Sequence, residues 1–212
     1  MQIHDDMKLP ASAHSSQPWR VHALAGDFAV EDVWRLATPG GPDDLPRLVE
    51  LMTAPDERRD GLPPPVRALF ALRWKLGELF GWDGAGAGVG DRVFSFRERL
   101  PADLLAGPRG PDLYGGPGRE AQDAQPLFRS VYMTHDEWVA ETANRTVHAL
   151  MHIGWVPDGS GGHRGQMAVL VKPNGVLGKA YMAAIKPFRH ALVYPALLRS
   201  IGRRWRADAP VG

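Results

Sequence analysis

Apolar and polar side chains alternate through residues 127–156 and again through 163–172, then change to three- and four-residue spacing from Leu177 onward. Alternation is the period of a strand with one buried face, and the longer spacing is that of an amphipathic helix. The pattern therefore predicts strands over 127–134, 136–143, 146–156 and 163–172, followed by a closing helix over 177–206. Leu177, Tyr181, Ile185, Phe188, Leu192 and then Leu198 or Ile201 fall on one stripe of that helix. Pro187 and Pro195 each remove a backbone donor, so the helix is expected to bend at both.

The first half is read with the same two periods. Residues 1–17 carry serines and Pro10 without periodicity and read as a flexible N-terminal arm; 18–208 then form one domain. Residues 19–24 alternate and read as a first strand. Residues 28–36 read as a short helix with Asp27 as N-cap, its positive end favoured by Glu31 and Asp32. A second helical patch covers 45–52. After Pro63-Pro64-Pro65, Val66, Leu69, Phe70, Arg73, Leu76, Leu79 and Phe80 recur at three- and four-residue steps and predict a helix with one apolar face that ends at Gly81. The glycine-rich stretch 84–90 follows a helix and precedes strand-like 92–96. That is the wrong context for a phosphate-cradling loop, and a connector is the better reading. Residues 107–126, rich in glycine and proline, read as a surface loop. The fold class is α+β: a curved antiparallel sheet wrapped around a long C-terminal helix.

Composition narrows the chemistry. Of 212 residues, 44% are hydrophobic and 23% charged, which suits a globular chain with one core. A net charge of +1 gives no general case for nucleic acid or an anionic membrane surface. Cysteine is absent, so disulfides, thiolate catalysis and cysteine-ligated metals are excluded. The N-terminus lacks the apolar run of a signal peptide, and 191–198 is far too short to span a bilayer; a cytoplasmic location is expected.

The hairpin holds the candidate chemistry. With Asn144-Arg145 as a two-residue turn, position 141 lies opposite 148 and 137 opposite 152. One face then carries Trp138, Ala140, Thr142, Val147, Ala149, Met151 and Ile153, and is expected to be buried. The other carries Glu137, Val139, Glu141, His148, Leu150 and His152, and is expected to face solvent. Glu141–His148 and Glu137–His152 are either cross-strand ion pairs or carboxylate–imidazole pairs for proton transfer. His148 and His152 are four residues apart, about 13 Å along a regular strand, too far to share a metal ion. No metal and no cofactor are expected. Lys186, Arg189 and His190 flank the helix stripe; they read as its wet side, with the alternative that they point into a cavity and bind an acidic group on a ligand. Arg199, Arg203, Arg204 and Arg206 read as cations complementing a helix C-terminus.

The segments 144–156 (NRTVHALMHIGWV) and 181–190 (YMAAIKPFRH), with Val193-Tyr194-Pro195, resemble a bacterial domain-of-unknown-function family grouped with the START and polyketide-cyclase-like, or helix-grip (SRPBCC), proteins. The resemblance spans about residues 19–206. It implies a seven-stranded antiparallel sheet gripping the C-terminal helix with a pocket between, and it supplies no established catalytic residues. Fold likeness leaves the function open. The expectation is a cavity that binds a small hydrophobic or amphipathic molecule, lined by Trp138, Met151, Met167, Tyr181, Ile185 and Phe188. The alternatives are a cyclase- or dehydratase-type enzyme using a Glu–His pair, and a protein-interaction module built on the tryptophans and a sheet edge. Homo-oligomers are compatible with this reading; nucleic acid partners are not expected.

Overall fold

A computed structural model describes residues 7–54, 93–114, 126–143 and 147–208, with the side chains of 176–181 left aside. The helix expected after Pro65 and the connector 84–90 lie outside the described residues, as do the turn at Asn144-Arg145 and the side chain of Tyr181.

Six strands form one antiparallel sheet: β1 (Lys8–Leu9), β2 (Ala29–Arg35), β3 (Arg129–Met133), β4 (Glu137–Ala143), β5 (Val147–Pro157) and β6 (His163–Pro173), in the order β1-β2-β6-β5-β4-β3. β3 to β6 stand where the alternation predicted them. The long ladder from Val147↔Pro173 to Pro157↔His163 joins β5 to β6 and makes this pair the spine of the molecule.

The N-terminal expectations change. Residues 7–17 are not an arm: Leu9 pairs with Val33, and His14, in helix α1 (Ala11–Ser15), is fully buried. The predicted first strand is instead Trp19 followed by the short helix α2 (Val21–Leu24), and the predicted helix 28–36 is strand β2. In β2 the residues Ala29, Val30, Val33 and Trp34 also fit a helical stripe, so the period alone is ambiguous over nine residues. Asp27 caps nothing there; it holds Arg99 through both carboxylate oxygens, at 2.5 and 3.0 Å, and Lys172 at 2.8 Å. Residues 93–99 form an isolated bridge at Val93 and a 3-10 turn (Phe96–Arg99) in place of a strand.

Both faces of the sheet are covered. On one side Trp34, Trp138, Ala140, Met151, Ile153 and Met167 pack against helix α3 (Leu45–Thr53) and the C-terminal helices. On the other, Val33, Val139, Leu150, Ala168 and Leu170 pack under Trp19, Val21, Phe28, Phe96, Leu100 and Leu104, the last in α4 (Ala102–Ala106). The chain thus makes three layers, with the sheet in the middle.

The C-terminal helix is built in three pieces: α5 (Gly175–Phe188), a π-helical turn (Arg189–Val193) and α6 (Tyr194–Ala207). The interruption falls between Pro187 and Pro195, as their missing N–H groups dictate. Among the described residues no helix is long and apolar enough to cross a membrane.

Candidate functional site

The hairpin register differs from expectation by two residues, not one. Glu137 lies opposite Gly154 and Ala143 opposite His148, so each Glu–His pair is diagonal and not directly opposed. A shift of two preserves the faces, because side chains alternate with a period of two. The Trp138/Met151 face does lie against the C-terminal helices. The Glu/His face looks away from them but is not solvated: Glu137, Glu141, His148 and His152 are each at most 2% exposed.

Both carboxylates work in the same way. Glu137 accepts the backbone N–H of Arg20 at 2.8 Å and of Val21 at 3.4 Å, and the Nε2–H of His152 at 3.0 Å. Glu141 accepts the N–H of Phe96 at 2.8 Å, the Ser95 hydroxyl, and the Nε2–H of His148 at 2.9 Å. Each therefore joins β4, β5 and one segment of the covering layer. Burial pushes the Glu141 carboxyl up, but the His148, Phe96 and Ser95 hydrogen bonds overcome it and hold the group below its usual range. Every carboxylate oxygen accepts at least one hydrogen bond from within the protein. These pairs fasten the cover to the sheet.

Behind His152 runs a chain of imidazoles. His14 Nε2 is 3.3 Å from His152 Nδ1, and His22 Nε2 is 3.1 Å from His14 Nδ1. A carboxylate can only accept, so His152 donates from Nε2; with a neutral His152 ring, Nδ1 accepts from His14 Nε2, and His14 Nδ1 accepts from His22 Nε2. Burial, and then the neighbouring rings of His152 and His22, lower the pKa of His14 to about 3. Burial likewise lowers that of His22. Trp19 lies over His152 and His14, with ring centroids 4.4 and 4.9 Å away.

A third buried centre sits on the helix side, and sequence reasoning missed its core. Asp32, 2% exposed, follows a bulge in β2. It accepts from His190 Nε2 at 2.5 Å and from the Tyr194 hydroxyl at 2.9 Å, and Arg189 Nη2 stands 3.3 Å from its Oδ2. Arg189 and His190 were expected on the wet side of the helix. The π-helical turn rotates them inward, and Arg189 is only 7% exposed. The guanidinium Nε and Nη2 and the nearby Trp34 Nε1 are buried with no hydrogen-bond partner. Lys186 stays exposed. Burial pushes the Tyr194 hydroxyl pKa far up, so it remains a donor to Asp32. Asp32 carried no signal in the sequence, because its strand was read as a helix.

The expected ligand-lining residues divide. Trp138, Met151 and Met167 are packed in the core with Leu198, Ile201 and Trp205. Ile185 and Phe188 are half-buried, and Ile185 rests on a small cluster of Val147, Val171 and Met182. A cleft of about 240 Å³ opens there, lined by Glu31, Pro173, Met182, Ala183 and Lys186. Glu31 precedes Asp32 in the chain, and Lys186 comes three residues before Arg189.

A family model described as "Protein of unknown function (DUF2867)" matches residues 24–196. The chain belongs to this family. No curated protein and no solved structure matches it. The DUF2867 match contains both Glu–His pairs and all of the Asp32 centre, and it begins after His14, Trp19 and His22. Among the described residues no group of three or more His, Cys, Asp or Glu side chains could hold a metal ion.

Proposed function

We propose that this DUF2867 protein binds a small amphipathic molecule carrying an acidic group, taken up between the sheet and the C-terminal helix. One observation carries the reading: the buried guanidinium of Arg189 has no hydrogen-bond partner at Nε, and its Nη2 meets only Asp32 Oδ2, at 3.3 Å and without hydrogen-bond geometry. That edge of an arginine is the fork that holds a carboxylate by two parallel hydrogen bonds. Leaving buried donors unmet costs about 1–3 kcal/mol each, so an arriving carboxylate relieves a standing penalty. Asp32 holds the fork in place, with His190 and Tyr194 holding Asp32. The apolar part of the ligand is assigned to the cleft against Met182 and Ala183, whose Lys186 comes three residues before Arg189 in the chain. The sheet and C-terminal helix are consistent with a helix-grip fold of the SRPBCC kind, where a ligand in this position would be gripped by both.

The test is calorimetric titration of the whole chain with decanoate and with decanol. Decanoate should bind and decanol should bind at least about tenfold more weakly, the difference expected when a charge-assisted bidentate contact is lost. Arg189→Met should abolish the preference. Equal affinity for acid and alcohol, or no binding of either, would remove the proposal.

A further inference from the structure

A second cleft, of about 330 Å³, lies at the far end of β2, lined by Met7, Arg35, Leu36, Ala37, Thr38, Pro39, Asp158 and Arg164. We propose that it binds a phosphate group, either as the free ion or on a small organic molecule, between Arg35 and Arg164. This reading stands apart from the Arg189 proposal.

The two arginines are brought together by register. Arg35 pairs with Gln166, and the ladder continues with Leu36 N–H donating to Gly165 O at 3.0 Å. Arg164 is therefore the diagonal neighbour of Arg35 on the same face, within reach of a long side chain. Like charges in that relation repel. Burial and then the Arg35 charge lower the Arg164 guanidinium pKa. Among the described residues neither arginine makes an ion pair; Arg164 has a 3.4 Å contact to Gly165 O. The one acid in the cleft is tied into its own turn through one oxygen: Asp158 Oδ1 accepts from Ser160 N–H at 2.7 Å, Ser160 Oγ at 2.8 Å and Gly162 N–H at 3.1 Å. Two cations are thus held side by side, one half-buried, with no carboxylate in an ion pair with either; the nearby Asp158 offsets only the smallest part of the shift at Arg164.

Guanidinium forks fit phosphate and carboxylate alike, but two of them call for a group with more than one charge. A phosphate monoester carries close to two negative charges above its second pKa of about 6. The volume lies near the low end for small-molecule sites, and the walls of Met7, Leu36, Ala37 and Pro39 suit a short apolar or ring-sized appendage.

The experiment is calorimetric titration of the full chain at low ionic strength and about pH 8, where the dianion prevails. The ligands are inorganic phosphate, phenyl phosphate and benzoate. Phosphate and phenyl phosphate should bind, with benzoate at least about tenfold weaker. Arg35→Gln and Arg164→Gln should each weaken phosphate by about tenfold or more, the scale of hydrogen bonds to charged groups. Neither substitution breaks an ion pair, so both variants should melt no lower than the parent, whereas Arg189→Met should leave phosphate binding unchanged. Binding of phosphate without phenyl phosphate supports a site for the free ion. No heat with either phosphate, benzoate as strong as phosphate, or binding that survives the double variant R35Q/R164Q would overturn the assignment.

Discussion

Two residues show how closely the covering layer is fitted. A Cβ built on Gly154 would fall inside the Trp19 indole, so this strand position accepts only hydrogen. Gly154→Ala should therefore cost about 1–3 kcal/mol, the usual penalty for overpacking, and urea denaturation measures it. Trp19→Ala in the same chain should recover part of the G154A loss. His14 makes a prediction in pH. Its native pKa of about 3 lies below the ordinary value of 6.5, so between those values the unfolded chain binds a proton that the native state refuses. The stability it contributes is full above about pH 6.5 and falls as pH drops toward 3, by up to about 1.4 kcal/mol per pH unit. Glu141, also depressed, contributes its loss only below its ordinary value of 4.5. Urea midpoints at pH 7 and pH 5 thus isolate the histidines, and His14→Leu should flatten that interval. An unchanged slope in H14L would contradict the lowered pKa of His14.

At the scale of elements, the Glu–His pairs act as bolts between strand and cover. Glu137→Ala strands the Nε2–H of His152 and the N–H groups of Arg20 and Val21. The expected loss is about 3–5 kcal/mol, as for removing one partner of a buried pair. Backbone exchange at Arg20 and Val21 should accelerate ahead of the β5–β6 ladder, a pattern that hydrogen-exchange mass spectrometry reads directly. These same residues mark what the sequence could tell. The four later strands, of five to eleven residues, were legible because sustained alternation has one reading, and the bent C-terminal helix because two prolines punctuate it. The polarity of Glu137, Glu141, His148 and His152 was legible too, but their burial was not. Alternating polar positions look like a wet face unless the cover is foreseen, and that cover is made of short helices and turns without a period of their own. Asp32 was lost for a related reason: it became part of a site only when β2 bulged and the π-helical turn swung Arg189 and His190 inward.

The whole molecule places chemistry on both sides of one sheet, and the N-terminal segment decides whether one side is closed. Residues 7–17 supply the edge strand β1, the buried ring of His14 and the carbonyl of Ala13, which accepts from Gln166 Nε2 at 3.2 Å. An arm would be dispensable; a layer is not. Removing residues 1–17 would leave His152 Nδ1 without its donor, His22 without its acceptor and Gln166, 2% exposed, without its partner. It would also open the Arg35 end of β2, where the backbone N–H bonds Met7 O at 2.7 Å. Two buried polar groups and one half-buried one, unmet at up to about 1–3 kcal/mol each, amount to a large share of the 5–15 kcal/mol that holds a domain folded. The truncated chain should therefore melt far below the parent or fail to fold, and circular dichroism melting decides it. If it keeps the parent's melting temperature, the N-terminal layer contributes nothing and the imidazole chain with it. A His14→Gln variant separates the two contributions. It keeps the segment and its strand pairing while replacing the ring, so it should lose only the part of the stability that runs through His152.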